Sequence, residues 1–512
     1  MIPYRDQNAK KVVVMGAGPA GLTAAWELTG KGVPCEILEA DPSEVGGIAR
    51  TASYRGFRFD IGGHRFFTKS DEVRRVWREI LPQEDWLQVS RVSRIYYKGK
   101  FFAYPLKAFD ALGKLGIGTS ALCVLSYLRA QTFPRAQERS FEDWIINRFG
   151  ERLYRIFFKT YTEKVWGMPC AEISADWAAQ RIKGLSLKSA LHNTVRPRGS
   201  DDKGVIKTLI DRFDYPRHGP GMMWERAAEI VRQRDGVLHM GAPVVRLDHG
   251  DGRLLRVVAR NDIGEFTVTG TDYISTLPIR SLVRMLDPAV PEPVRAAADA
   301  LRYRDFLTVV LVINRAEMFP DNWIYVHDPT VRLGRVQNFK NWSSFMVPDP
   351  AQTALGLEYF CNEGDGLWET DDMGLLALGA RELEQIGLCC AEEVIDGTVV
   401  RMPKAYPVYD DHYKEHVALI RDWLTEHVTN LQLVGRNGMH KYNNQDHSMM
   451  AALLAARNIL GQQWDPWKVN ADAEYHEEIH FGDDDAGRVI PRRMPISQSN
   501  SSHEGRRKAR CD

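Results

Sequence analysis

Hydrophobic residues near the start of the chain change their spacing within a few positions. The continuous apolar run VVVM, residues 12–15, has the length of a buried strand, and the apolar positions of LTAAWEL, residues 22–28, recur at a helical period. Between them Gly16, Gly18 and Gly21 form G-x-G-x-x-G. The pattern therefore predicts a strand, a tight glycine turn and a helix.

A second apolar run follows that helix and ends in an acid. PCEILEA, residues 34–40, predicts another strand, and Glu39 lies at the distance along the chain where a carboxylate meets ribose hydroxyls in dinucleotide-binding folds. In such a unit the first glycine permits the turn, the second admits a pyrophosphate to the backbone amides, and the third lets helix and strand pack closely. We therefore predict a dinucleotide site with Gly16, Gly18, Gly21 and Glu39 as cofactor contacts.

The remaining patterns predict an α/β protein with several discontinuous parts. Helical periodicity dominates the stretch after the first strands, a strand-rich stretch follows later, and the last apolar segment again reads as strand, glycine turn and helix, the helix starting near His447. A Rossmann-like domain is predicted from residues 10–105, 215–285 and 401–462, with a helical insertion domain at 106–200, an antiparallel β-sheet substrate domain at 300–400 and a disordered tail at 482–512.

One apolar stretch has a separate interpretation. Residues 115–128, LGIGTSALCVLSYL, are about half as long as a membrane-crossing segment and lie between Lys114 and Arg129. We predict a buried helix here, and a surface that touches lipid is the alternative.

Composition narrows the class of partner. Lysine plus arginine equals aspartate plus glutamate at 67 each, so no global field attracts nucleic acid. The seven cysteines form no C-x-x-C pair, and the first residues lack an apolar signal core, which together favour a reducing, cytoplasmic setting. The H-E-x-x-H spelling at 476–480 has no apolar helix around it, so we predict no metal site.

A second glycine pair points to the identity of the dinucleotide. DPSEVGGIART, residues 41–51, contains Gly46, Gly47 and Arg50. It resembles the second phosphate-side signature of the FAD-dependent family that includes amine oxidases, protoporphyrinogen oxidase and UDP-galactopyranose mutase. In that family a late segment, here with Gly435 and Arg436, returns to the first domain and caps the flavin. The resemblance implies FAD as the cofactor.

The motif YTEKVWG, residues 161–167, resembles UDP-galactopyranose mutases more specifically, since the mutases carry Y-T-E-K-x-W-G after a helix at the same place. Further matches follow in chain order, including DIGGHRFFT, FFAYPL, VRLGRVQNFKNW, AYPVYDD and GRNGMHKYNNQDHSMMAAL. The resemblance implies catalytic roles for His64, Arg335, Tyr406 and Tyr442, and substrate-binding roles for Tyr161, Trp166 and Arg181.

The chemistry that the resemblance implies leaves the flavin without net oxidation. Reduced FAD uses its N5 as a nucleophile on the anomeric carbon of a sugar phosphate, the diphosphate leaves, and the ring of the flavin-bound sugar opens and recloses as pyranose or furanose. In this chemistry Arg335 donates hydrogen bonds to the phosphate, the tyrosines add phenol donors, and His64 lies against the flavin. A reductant such as NADPH or a reductase is implied as a partner. The oligomeric state is not predicted.

Several positions depart from the mutase pattern. Leu185 replaces a diphosphate-binding arginine, Asn444 replaces an aspartate, and Phe67 replaces a histidine. These changes favour a different nucleotide sugar or a lipid-linked sugar phosphate as substrate. The alternative is an FAD-dependent oxidoreductase of the protoporphyrinogen oxidase or desaturase type acting on an apolar substrate. For Tyr161 and Trp166 the alternative role is core packing, and Glu163 with Lys164 is predicted to form a local ion pair.

Overall fold

The computed structural model describes residues 10–104, 106, 108–175, 207–209, 212–470 and 478–480. Arg181, Leu185 and the predicted tail at 482–512 lie outside the described residues, as does the end of the predicted helical domain. The described part contains three main sheets with helices packed around them.

A five-stranded parallel sheet carries the glycine-rich turn. Its strands, in spatial order, are β10 (Val237–His239), β2 (Cys35–Leu38), β1 (Val12–Met15), β14 (Asp272–Ser275) and β21 (Leu431–Leu433). All four side chains of β1 are buried because both faces of a parallel sheet are covered. The strands come from three separated parts of the chain, which confirms the predicted discontinuous α/β fold.

Both faces of the parallel sheet are packed. One face is covered by α1 (Pro19–Gly30), α8 (Gly221–Gln233) and α15 (Gln445–Ile459). The other face meets a four-stranded sheet in the order β13 (Gly264–Val268), β12 (Arg253–Asn261), β11 (Val244–Gly250) and β15 (Leu286–Asp287), together with α9 (Ile279–Met285), α10 (Glu292–Ala300) and α13 (Tyr413–His427). Helix α15 begins two residues before the predicted start at His447.

A seven-stranded sheet forms the second layer of the molecule. Its order is β20 (Val394–Pro407), β16 (Tyr303–Ile313), β19 (Thr353–Cys361), β18 (Arg335–Asn338), β17 (Trp323–Val326), β6 (Ser93–Tyr97) and β7 (Lys100–Ala103). The sheet differs from the predicted antiparallel domain at 300–400 in two ways. Strands β17 and β6 run parallel, and the hairpin of β6 and β7 comes from the segment assigned to the first domain. Strand pairing between distant segments has no signature in either segment alone.

A group of helices lines one face of the seven-stranded sheet. They are α3 (Ala108–Leu115), α4 (Ile117–Thr132), α5 (Phe141–Phe149), α6 (Glu151–Tyr154), a π-helix (Arg155–Lys159) and α7 (Thr160–Trp166). Helix α7 ends at Gly167, whose φ is 64°. The prediction of a buried helix at 115–128 is wrong, because on α4 only Cys123 and Ala130 are buried.

The remaining elements are short or peripheral. Three strand pairs are β3 (Thr51–Tyr54) with β4 (Phe57–Asp60), β5 (Trp86–Ser90) with β9 (Arg212–Pro216), and β8 (Lys207–Leu209) with β22 (Glu478–His480). The further helices are α2 (Asp71–Ile80), α11 (Phe339–Trp342), α12 (Asp372–Gln385) and α14 (Gly435–Gly438). The last three residues of the H-E-x-x-H spelling thus lie in a strand. Among the described residues, no helix is both long and apolar enough to cross a bilayer.

Candidate active site

The first glycine turn has no room for side chains. A Cβ on Gly21 would lie 1.9 Å from the carbonyl oxygen of Gly16, and a Cβ on Gly16 would lie 2.1 Å from Oγ1 of Thr276. Gly16 also has a φ of 100°, which L side chains rarely adopt. Strand β1, helix α1 and the residue directly after β14 therefore approach as closely as the dinucleotide-binding arrangement requires.

The second glycine pair meets the first turn directly. The backbone N–H of Gly46 donates to the carbonyl of Ala17 at 2.8 Å, and a Cβ on Gly18 would lie 4.0 Å from Cα of Gly47. Two segments without side chains thus face each other at the N-terminus of α1. A pyrophosphate fits such a place because backbone amides and the helix dipole both favour an anion.

Glu39 lies beside this turn, at the end of β2. Its Oε2 accepts a hydrogen bond from the N–H of Ala17 at 2.6 Å, and its Oε1 accepts one from Asp41 at 2.9 Å. This is the position expected of a carboxylate that accepts from ribose hydroxyls. Arg50, predicted as a cofactor contact, forms ion pairs with two acids. Its guanidinium lies 2.9 Å from the carboxylate of Glu44 and 3.4 Å from that of Asp41.

The late segment packs onto the first helix. A Cβ on Gly435 would lie 3.2 Å from Cβ of Ala20, so Gly435 lets the backbone of α14 approach α1. Arg436 follows at once, and its side chain is fixed by backbone carbonyls, with Nε donating to Asn443 at 3.0 Å and Nη1 to Ala405 at 3.2 Å. The late segment with Gly435 and Arg436 is thereby brought to the predicted cofactor site.

Three strands of the seven-stranded sheet align a row of polar side chains. The register of the sheet pairs Tyr325 with Arg335 and Arg335 with Glu358. Nε of Arg335 donates to Oε2 of Glu358 at 2.5 Å, and Nε2 of Gln337 donates to Oε1 of Glu358 at 2.8 Å. Glu358 is fully buried, so this acid fixes the orientation of Arg335. Sequence reasoning missed Glu358, whose signal is a lone acid within the apolar run TALGLEYFC.

The motif YTEKVWG brings an aromatic ring to the same row. Tyr161 contacts the ring of Tyr325 edge-on at 5.4 Å between centroids and stacks on His327 at 4.9 Å with the two planes only 9° apart. Burial raises the pKa of the Tyr161 phenol, while the charge of Arg335 lowers it. The phenol therefore stays protonated and lies within the field of Arg335.

Two further tyrosines extend the site toward Arg436. Tyr406 and Tyr442 stack with centroids 5.6 Å apart, and the guanidinium carbon of Arg436 lies 5.0 Å from the ring centroid of Tyr442. Trp166 lies 6.3 Å from Tyr442 and is itself buried in the helical core. Trp166 thus has both the aromatic neighbour expected of a substrate slot and the burial expected of a packing residue.

His64 lies next to the same cations. Its Nδ1 is hydrogen-bonded to the carbonyl of Gly62 at 2.8 Å. Burial lowers the pKa of the imidazole to about 3, and the nearby charges of Arg436 and Arg335 contribute to the decrease. His64 is therefore neutral at physiological pH. The described residues of the predicted catalytic set, His64, Arg335, Tyr406 and Tyr442, thus belong to one continuous group.

The two charges of YTEKVWG do not pair with each other as predicted. Nζ of Lys164 donates to the carbonyls of Val326, Asp328 and Leu333 at 3.2, 2.6 and 3.0 Å. Glu163 instead accepts from the N–H of Cys170 at 3.2 Å. Lys164 therefore fastens α7 to the loop after β17 and so positions Tyr161 against His327. Because consecutive helical side chains point in different directions, adjacent opposite charges rarely meet.

The fold and the glycine cradle define a dinucleotide-binding flavoprotein. The chain belongs to the family of flavin-containing amine oxidoreductases, whose family model matches residues 19–435. FAD is accordingly the cofactor, and the residues at the cradle fit it: glycines where its pyrophosphate needs backbone amides, and Glu39 where its ribose needs an acceptor.

Known proteins of two activities resemble the chain. A crystal structure of reduced UDP-galactopyranose mutase has a TM-score of 0.76 and 23% identity, over 88% of this chain and 94% of that one. An L-amino-acid oxidase of Pseudechis australis is 25% identical over 61% of this chain and 59% of its own length. A probable UDP-galactopyranose mutase of Klebsiella pneumoniae is 24% identical over 33% of this chain and 44% of its own length. The chain thus spans less than two thirds of the length of the Pseudechis australis and Klebsiella pneumoniae relatives.

Proposed function

We propose that the protein is an FAD-dependent isomerase of the mutase type, which interconverts pyranose and furanose forms of a sugar carried on a nucleotide or on a lipid phosphate. The observation that carries this proposal is the group formed by Arg335, Tyr161, Tyr406 and Tyr442, in which phenols surround a guanidinium that is itself held by a buried acid. An apolar substrate has no use for such a group, whereas a glycosyl phosphate does.

Arg335 is oriented for a phosphate. Its Nε and Nη2 both face Glu358, which leaves the Nη1 side of the guanidinium for a ligand. A guanidinium suits phosphate oxygens because its N–H groups are planar and permanently charged. Glu358 thus keeps the cation in place before the substrate arrives, which lowers the ordering cost of binding.

The tyrosines complete the substrate side. Tyr161 has its ring held between Tyr325 and His327, a rigid arrangement that suits stacking of a flat base. Burial, joined by the nearby Tyr442 phenol, raises the pKa of Tyr406, so its hydroxyl remains a hydrogen-bond donor at neutral pH. Such donors stabilise negative charge on a departing phosphate.

FAD, when bound in its reduced form, supplies an electron-rich ring nitrogen that acts as a nucleophile toward the anomeric carbon. His64 is neutral beside this place and therefore adds no positive charge that would lower the nucleophilicity of a reduced flavin. The resemblance to mutase relatives in fold and in motif order supports this assignment. The changes at Leu185 and Asn444 favour a substrate other than UDP-galactose.

The test is turnover by the reduced protein. Dithionite-reduced holoprotein is incubated without oxygen with UDP-, dTDP- and GDP-linked hexopyranoses, and furanose products are separated by anion-exchange chromatography. We expect product only after reduction, with NADPH or a reductase replacing dithionite less efficiently. Absence of furanose from every nucleotide sugar and from a polyprenyl-phosphate-linked sugar would remove the proposal.

A second candidate is an FAD-dependent oxidoreductase, of the amino acid oxidase type or of the protoporphyrinogen oxidase or desaturase type. The family assignment and the Pseudechis australis relative favour it. It predicts that the substrate bleaches the oxidised flavin without oxygen and that hydrogen peroxide forms when oxygen is admitted. Bleaching by L-amino acids or by an apolar substrate, together with no sugar isomerisation, would select this candidate.

A further inference from the structure

Helix α4 presents an apolar face to solvent. Ile117, Val124, Leu125 and Leu128 are 93%, 40%, 60% and 53% exposed, and at 100° per residue they lie on one side of the helix. The buried residues Cys123 and Ala130 lie on the opposite side, against α5 and α6. A surface helix of a globular protein normally has its polar residues outside, so α4 has the reverse arrangement.

Two more apolar side chains continue this surface. Leu122 is 44% exposed at its flank and Phe133, just after the helix, is 77% exposed. We call Ile117, Leu122, Val124, Leu125, Leu128 and Phe133 the α4 apolar face. Single exposed apolar residues are ordinary, but six within 17 consecutive positions form the kind of patch that marks an interaction site.

The surroundings of this face are basic although the chain as a whole is neutral. Residues 98–159 contain eleven lysines and arginines against five acids, a net charge of +6, whereas the net charge of the full chain is zero. Each of the five acids has a partner. Asp110 pairs with Lys114 at 2.6 Å and Glu151 with Arg155 at 2.5 Å. Glu142 and Asp143 both pair with Arg135, and Glu138 pairs with Arg148. Lys159 pairs with Glu163 at 3.9 Å. Among the described residues of this stretch, five cations have no acidic partner: Lys98, Lys100, Arg129, Arg139 and Arg152.

The uncompensated cations stand at both ends of α4. Nζ of Lys100 donates to the carbonyl of Lys114, which places it beside the start of the helix. Arg129 lies one turn after Leu125, near the other end of the helix. Within the described part of the chain, Lys100 and Arg129 form no ion pair.

We propose that α4 lies flat in the headgroup region of an anionic lipid membrane, with the α4 apolar face toward the acyl chains and these cations toward lipid phosphates. The helix has 16 residues, which gives a length of about 24 Å and suits an orientation parallel to the membrane plane. A second copy of the chain fits less well. In a two-fold pairing the same face meets itself, and both ends of α4 would bring cations together.

Vesicle sedimentation tests this proposal with the full FAD-containing protein. Vesicles of phosphatidylcholine alone are compared with vesicles containing about 30 mol% phosphatidylglycerol, at low and high salt. The variant Leu125→Glu/Leu128→Glu removes the centre of the α4 apolar face, and Lys100→Ala/Arg129→Ala removes the two cations. Ile263→Glu is the matched control, because Ile263 is 95% exposed on the distant hairpin between β12 and β13.

We expect binding to anionic vesicles that weakens as salt rises. The leucine variant should bind at least tenfold more weakly for each leucine replaced, and Lys100→Ala/Arg129→Ala about fivefold more weakly for each cation. Ile263→Glu should bind like the wild type. Equal binding by the leucine variant, or no preference for anionic vesicles, overturns the proposal. So does a dimer that the leucine variant converts to monomer without any wild-type vesicle binding, since a second copy would then cover the face.

Discussion

Arg335 and Glu358 face each other from neighbouring strands, and the guanidinium Nε donates to the carboxylate at 2.5 Å. The side chain of Glu358 is fully buried and that of Arg335 is 17% exposed, so each charge is stabilised mainly by the other. This ion pair therefore couples the stability of the sheet to the orientation of Arg335, the residue proposed to bind the phosphate.

Glu358→Gln should destabilise the protein because it leaves the Arg335 charge buried without an anion. We expect the free energy of unfolding to fall by roughly 3–5 kcal/mol. Arg335→Met/Glu358→Met removes both charges, so most of that loss should be recovered while substrate binding is not. Urea denaturation measures the stability, and product formation measures the function. A double variant as unstable as Glu358→Gln would contradict the argument that charge balance is the cause.

Tyr442→Phe and Tyr406→Phe remove single hydroxyls from the proposed substrate side. Each should lower kcat/KM roughly a hundredfold or more, as loss of a donor to developing negative charge does, and leave the FAD content unchanged. Tyr359→Phe is the control, since Tyr359 is buried on β19 next to Glu358 and its hydroxyl donates to Glu382 at 3.1 Å. Flavin loss in Tyr442→Phe would show that this residue serves the cofactor and not the substrate.

The elements that depend on local pattern were predictable from sequence, and those that depend on long-range pairing were not. The glycine turn after β1 could be predicted because strand, turn, helix and acid follow one another within residues 12–39. Glu358 was missed because its partner is 23 positions away and becomes a neighbour only through the register of the sheet. Helix α4 was wrongly predicted as buried because apolar periodicity identifies a face but not what covers it.

Gly21→Ala should weaken the binding of FAD. Its Cβ would lie 1.9 Å from a backbone carbonyl, so β1 and α1 must separate and the amides at the predicted pyrophosphate site must move with them. We expect the ratio of absorbance at the flavin band to that at 280 nm to fall below about half of the wild-type value. Gly113→Ala is the control, since a Cβ there meets nothing within 4 Å. Full FAD content in Gly21→Ala would argue that the close helix–strand contact is not required.

Lys164→Met should affect stability far more than Glu163→Gln. The Lys164 ammonium satisfies three carbonyls, and burial lowers its pKa to about 8, so methionine leaves those carbonyls without their donor. We expect a loss of roughly 2–4 kcal/mol of unfolding free energy, against less than about 1 kcal/mol for Glu163→Gln. Because Lys164 positions α7, Lys164→Met should also raise KM through Tyr161. Equal losses of unfolding free energy in the two variants, measured by urea denaturation, would instead support the Glu163–Lys164 ion pair predicted from sequence.

His327 should contribute to the acid sensitivity of the fold. It is buried against Tyr161, and burial, together with the charge of Lys164, lowers its pKa from 6.5 to about 3. Below pH 6.5 the unfolded chain therefore binds a proton at His327, whereas the folded protein does not. The contribution of His327 to the free energy of unfolding is complete above that pH and declines as the pH falls toward 3. His327→Phe keeps the stacked ring and removes the proton site. At pH 4.5 it should lose roughly 2–3 kcal/mol less stability, relative to pH 7.5, than the wild type loses. His412→Phe, at a side chain 73% exposed, should follow the wild type in urea denaturation at both pH values. An unchanged pH dependence in His327→Phe would mean that His327 takes up its proton in the folded protein as well.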